Sequence, residues 1–183
     1  MASSKVFVVG YGNSLRGDDG VGQEVAKILL RQKDRLPVLA GADVAWSHQL
    51  VPEMALDLSR ADFAVFVDAA CDRRPAGSVA VRRLAPPGPA SGRAGGLATS
   101  CWEDLDPEGL LALTLELYGE APPAALVTVG VSVTGWGTAL SPEVRAAVPR
   151  AAAAVRLAIA ARTWARPAHR RRAESGRERE HNA

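Results

Sequence analysis

Apolar positions along this chain fall into two rhythms that alternate from the N-terminus onward. Lys5 to Gly10 is a short, continuous apolar run rich in β-formers and ending in glycine, which suits a buried central strand. A loop with four glycines follows between Gly12 and Gly22. Beyond it Val21, Val25, Ile28 and Leu29 recur at helical spacing and predict a helix to about Arg31. Val38 to Trp46 reads as a second strand, Pro52 opens a helix through about Arg60, and Phe63 to Val67 is another apolar strand that ends at Asp68. Val79, Val81 and Leu84 fit a modest edge strand, and Pro86 to Gly96 is a Pro/Gly/Ala/Ser-rich loop. Asp106-Pro107 pairs an N-cap with a first-turn proline, and that helix runs to Tyr118 and stops at Gly119. Leu126 to Val133 is a strand and Gly135 to Thr138 a turn. Ser141-Pro142-Glu143 then begins an Ala-rich helix that continues to about Trp164.

Strands that alternate with helices predict the α/β class, here a three-layer α/β/α sandwich around a mostly parallel sheet of about five strands. Residues 1–164 are expected to form one domain, with residues 165–183 a disordered Arg-rich tail. In such sheets, sites form in the crevice beyond the C-terminal strand ends. The loop after Gly10, the residue Asp68 and the segment after Val133 should therefore meet at one edge.

Composition narrows the picture in three ways. No apolar run approaches the roughly 20 residues that span a bilayer, and no cleavage site follows the N-terminal residues, so the cytoplasm is the expected compartment and no membrane partner is expected. Two cysteines, Cys71 and Cys101, are too few for a disulfide framework and match no zinc spacing. The net charge of +2 divides into +4 on residues 162–183 and −2 on the rest. No aromatic follows Trp164 in the tail, and its arginines alternate with glutamates, so nucleic acid is not the expected partner.

The glycine-rich strand-to-helix loop invites a nucleotide-binding reading, which its spacing argues against. Leu15 stands where a dinucleotide fingerprint wants glycine, and no Gly-Lys-Ser/Thr ending is present. Asp18 and Asp19 also put negative charge where a phosphate would sit at a helix N-terminus. One acid can cap the helix while the other faces the crevice. Asp68, among apolar neighbours, is costly to bury unless paired or ligated, and with Asp19 across adjacent strand ends it makes a two-carboxylate metal site.

The segment Gly10 to Gly22, with its Gly-Asn-Ser-Leu-Arg-Gly-Asp-Asp-Gly-Val-Gly core, resembles the opening signature of the hydrogenase maturation proteases. Val65-Phe66-Val67-Asp68-Ala69 resembles that family's second motif. Asp106-Pro107 through Tyr118-Gly119 resembles its third helix, and Val127 to Val131 with Leu140 to Val144 resembles its last strand and helix. The similarity spans roughly residues 5 to 160. The resemblance implies an endopeptidase that removes the C-terminal extension of a hydrogenase large-subunit precursor. Nickel, brought by the substrate and held weakly by the enzyme, would be the recognition element. It further implies Asp19 and Asp68 as the catalytic acids and metal contacts, with Asn13 and Asp18 toward the substrate.

The chain departs from the pattern at the third ligand. Where the family has a histidine before the third helix, this sequence reads Thr99-Ser100-Cys101-Trp102-Glu103-Asp104-Leu105. Glu103 stands at the matching position. Otherwise His48, in Ser47-His48-Gln49-Leu50-Val51-Pro52-Glu53, supplies the imidazole, or Cys101 a soft thiolate. The cleavage is either metal-assisted or of the aspartic type, because no Ser-His-Asp set or Gly-x-Ser-x-Gly elbow exists. A non-cleaving scaffold for the precursor and a nucleotide or nucleic-acid binding module are the rival functions. A monomer is expected.

Overall fold

Five strands form one sheet in a computed structural model of the chain, which describes residues 5–72, 74–84, 105–132, 134–137 and 139–164. They are β1 (Val6–Tyr11), β2 (Ala42–Ser47), β3 (Phe63–Ala70), β4 (Val79–Leu84) and β5 (Ala124–Gly130), in the spatial order β2-β1-β3-β5-β4. All neighbours pair in parallel except β4, which lies antiparallel on β5 at the edge. The helices are α1 (Val21–Gln32), α2 (Met54–Ser59), α3 (Pro107–Tyr118) and α4 (Pro142–Ala160).

Period-two alternation divides the core between the two faces of the sheet. Val6 and Val8 of β1 and Val65 and Val67 of β3 point to one side, where they pack with Val25 and Leu29 of α1 and Val144, Ala151 and Val155 of α4. Phe7 and Val9, with Ala64 and Phe66, point to the other side against Leu58 of α2 and Leu110 and Leu111 of α3. Both faces of the central strands are thus dry, which explains why β1 and β3 read as continuous apolar runs. The expected three-layer α/β/α architecture is the observed one.

Local rules account for the element ends. Asp106 caps α3 by accepting from the Gly109 amide at 2.6 Å, and Gly119 ends it in the left-handed region at φ 75°. Ser141 caps α4, whose internal Pro149 sits on the exposed side, where the lost backbone bond costs least. Several expected boundaries shift, and the strand expected from Leu126 to Val133 runs from Ala124 to Gly130. The second strand starts at Ala42 because Pro37 sets a short 3-10 turn over Pro37–Leu39, and β3 runs past Val67 to Ala70, so that Asp68 lies inside the strand and pairs with Thr128. Residues 165–183 and the whole loop expected from Pro86 to Gly96 lie outside the described residues. No described helix is long and apolar enough to cross a membrane.

Candidate functional site

The order β2-β1-β3 makes the C-terminal ends of β1 and β3 the place where successive connections leave in opposite directions, which is where open α/β sheets carry their sites. The β1–β3 register ends at Gly10↔Val67, so Tyr11 and Asp68 are the next positions on the two strands. Both belong to the parity that faces α2 and α3, and Tyr11 packs against that cluster. The glycine loop leaves β1 directly above them.

Asp19 and Asp68 are brought together at this edge. Asp19 closes the loop on itself, with its Oδ2 accepting from the Asn13 amide at 2.7 Å. Asn13 in turn accepts from the Leu15 amide through Oδ1 at 2.9 Å, so the loop that carries Asp19 is ordered by its own side chains. Gly12 makes this tight return possible. Its φ of 134° lies outside the range of ordinary residues, and a Cβ there would meet the Asp19 carbonyl. Gln23, from the first turn of α1, ties the loop to β2 by donating to the carbonyls of Gly12 at 2.6 Å and Ser47 at 3.2 Å.

Asp68 is held differently. Its Oδ1 accepts from the Ala69 amide at 2.8 Å, and the Tyr11 hydroxyl donates to the carboxylate. Burial pushes its pKa up to about 6. The Tyr11 and Ala69 hydrogen bonds lower it, and the nearby charge of Asp19 raises it again. Tyr11 itself is driven far above the ordinary tyrosine range, first by burial and then by the Asp68 charge, so it remains a neutral donor. Asp106 and Glu108, at the start of α3, add to the negative field felt by Tyr11. An edge with this much negative charge favours a cation over a phosphate.

Asp18 occupies a different place from the substrate-facing one expected. It is fully buried, its Oδ1 accepting from the Ser141 amide at 2.6 Å and its Oδ2 from the Ser141 hydroxyl at 3.0 Å. It therefore pins the glycine loop to the N-terminus of α4, and it has no surface left for a substrate. Asp18→Ala should cost roughly 2–4 kcal/mol in chemical denaturation, because it strips a buried donor pair of its charged acceptor. A loss below about 0.5 kcal/mol would show the contact to be incidental. The first turn of α1 is left without a side-chain cap, its N-cap being Gly20.

His48 reaches the loop only through its backbone. Its carbonyl accepts from the Gly12 amide at 3.2 Å, while the residue itself is exposed. Among the described residues no three His, Cys, Asp or Glu side chains come together to hold a metal ion, so His48 does not complete the Asp19–Asp68 pair in this structure. Glu103 and Cys101 lie outside the described residues. Tyr11 and Gln23 are the contributors that sequence reasoning missed. Tyr11's position at the end of a strand beside the acid-bearing one was the available signal, and nothing in the sequence pointed to Gln23.

Similar architectures occur among solved structures. A hydrogenase 2 maturation peptidase from a Thaumarchaeota archaeon is 24% identical, covers 85% of this chain and 98% of its own, and superposes with a TM-score of 0.60. The NiFe hydrogenase maturation protease HycI from Thermococcus kodakarensis is 19% identical over 85% of this chain and 92% of its own, with a TM-score of 0.62. The hydrogenase maturating endopeptidase HybD from E. coli is 21% identical over 82% and 89%, at 0.57. No family model matches the chain, and no curated protein sequence does. At these identities the likeness establishes a shared fold.

Proposed function

We propose that this chain is a hydrogenase maturation protease, an endopeptidase that removes the C-terminal extension of a nickel-loaded hydrogenase large-subunit precursor. The observation that carries the reading is the meeting of Asp19 and Asp68 at the β1/β3 edge of a fold that solved hydrogenase maturation peptidases share. The motif resemblance over residues 10–22 and 65–69 supports it independently of the fold.

In this reading the metal arrives with the substrate. Two carboxylates make an incomplete hard-ligand set, too weak to retain nickel alone but sufficient to recognise nickel already bound by the precursor's own ligands. Asp19 and Asp68 take the metal-bearing end of the precursor and fix the peptide beyond it in the crevice. Asn13 is bonded to Asp19 through its backbone amide, which leaves its side-chain amide nitrogen available to the peptide. Tyr11 and the Ala69 amide orient the Asp68 carboxylate, whose remaining lone pairs would meet the incoming cation. The metal, once delivered, polarises carbonyls or activates water.

The test is to incubate the purified protein with the nickel-loaded precursor of a hydrogenase large subunit from the same cell and follow the precursor's mass. The expected result is loss of one discrete C-terminal peptide, abolished by Asp19→Ala. Because Asp68 must be ionised to bind the cation, turnover should rise with pH through about pH 6, the value to which burial lifts this carboxyl. A flat profile between about pH 5 and 7 would remove Asp68 from the rate-determining ionisation. Tight binding of every cognate precursor without loss of mass would replace the protease by a non-cleaving scaffold, the reading favoured by the missing third-motif histidine.

A further inference from the structure

The segment after β5 returns to the glycine loop and pairs with it. The Gly17 amide donates to the Gly137 carbonyl at 2.6 Å, the Gly137 amide to the Leu15 carbonyl at 2.9 Å, and Arg16 pairs in parallel with Gly137. Leu15 and Trp136 are the residues that immediately precede this bridge on its two segments. Trp136 is 88% exposed and Leu15 55%. The other exposed apolar residues of the described chain have ordinary settings. Leu30, Leu56, Leu117 and Leu157 are spread over the outer faces of different helices, Tyr118 ends α3, Val81 lies on the edge strand β4, and Trp46 lies under the Lys27 ammonium at 5.0 Å. Only the Leu15–Trp136 ridge couples two large apolar side chains to a backbone fixed from both sides.

We infer that this ridge is the docking surface for the body of the protein substrate, engaged by an apolar depression on the large-subunit precursor beside its scissile segment. The inference rests on the proposed protease function and names how that substrate is held. The occupant follows from continuity with the site. Leu15 and Asp19 belong to one loop and are both bonded to Asn13, so the ridge is continuous with the loop that carries the first carboxylate. A second copy of this chain seated there would obstruct its own crevice, whereas a precursor bound there delivers its C-terminus to it. Ser14 and Gly17 of the same loop border a cleft of about 440 Å³ between α1 and α4. The exposed Arg16, its Nε 3.4 Å from the Thr134 carbonyl, adds a basic rim suited to acidic groups on the partner. A rigid, exposed indole beside a reactive crevice has the character of an interface hot spot.

Trp136→Ser and Leu15→Ser, singly and together, test this with the nickel-loaded precursor. The substitutions are at exposed positions, and thermal unfolding should match wild type. The expected result is a rise in KM of roughly tenfold for each single variant, with kcat within about twofold of wild type. If the wild type binds without cutting, the same loss is read in Kd. Unchanged KM and Kd in the double variant, with wild-type cleavage intact, would overturn the docking surface and leave the protease standing. No binding or cleavage of any precursor by the wild type would remove both. A wild-type dimer that the double variant converts to a monomer, with KM unchanged, would give the ridge to a second copy instead.

Discussion

Asp68→Asn should abolish cleavage while making the metal-free protein more stable at pH 7. The loss of activity follows from charge. A carboxamide cannot take the place of a carboxylate toward the precursor's metal, and forfeiting the several kcal/mol that a correctly placed cation supplies corresponds to at least about a thousandfold in rate. The gain in stability follows from the same residue's burial. Its folded pKa of about 6 lies above the ordinary 3.8, so the folded state keeps a proton that the unfolded chain releases. Stability contributed by that proton is complete below about pH 4 and is lost as pH rises to about 6. Above that the buried charge costs the fold roughly 3 kcal/mol, a figure that solvent at the partly open crevice reduces. Asparagine has no such charge to bury. The variant should therefore gain on wild type progressively between pH 4 and 7 in urea denaturation, and coincide with it near pH 4. Retained cleavage would show that Asp68 is dispensable, and equal stability at pH 7 would show that its charge is well solvated.

Gly22→Ala should destabilise the fold by about 3 kcal/mol or more, against the roughly 1 kcal/mol that alanine normally gains over glycine in a helix. α1 crosses the sheet at this glycine. A Cβ there would lie 2.5 Å from the Val67 carbonyl oxygen and 2.8 Å from the Tyr11 amide nitrogen, and closer still to the Tyr11 carbonyl oxygen. These are backbone atoms of β1 and β3 in the middle of a paired sheet, so they cannot swing aside as a side-chain end would. The opposing surface is equally bare, since a Cβ on Gly10 would meet the Gly22 carbonyl and come within 2.9 Å of the Ala26 Cβ. Relief requires lifting α1, which carries the glycine loop and moves Asp19 away from Asp68, so activity should fall with stability. Gly135→Ala is the control, having nothing within 4 Å of its Cβ, and should change stability by less than about 0.5 kcal/mol. A Gly22→Ala protein as stable as wild type would mean that the helix packs more loosely than described.

The sequence by itself determined the architecture and marked out the candidate acids. Continuous apolar runs in β1 and β3, helical spacing from Val21 to Leu29, and the Asp106-Pro107 and Ser141-Pro142 starts named the layers, because each signal is local and is carried by a few neighbouring residues. The same holds for Asp19 and Asp68, which the loop and strand-end patterns marked out before any contact was known. What two adjacent aspartates do was not local. Motif position gave both Asp18 and Asp19 a place at the site, and only the approach of Ser141, 123 positions from Asp18, takes Asp18 away from it. Likewise only the sheet order sets Tyr11 against Asp68, since the register of β1 on β3 is decided by packing on both faces. The tie from Gly137 to Leu15, next to which the exposed Trp136 stands, joins segments more than a hundred residues apart. Spacing along a chain reports which residues share an element, whereas the partners of a charge are chosen by how elements dock, and that choice belongs to the tertiary structure.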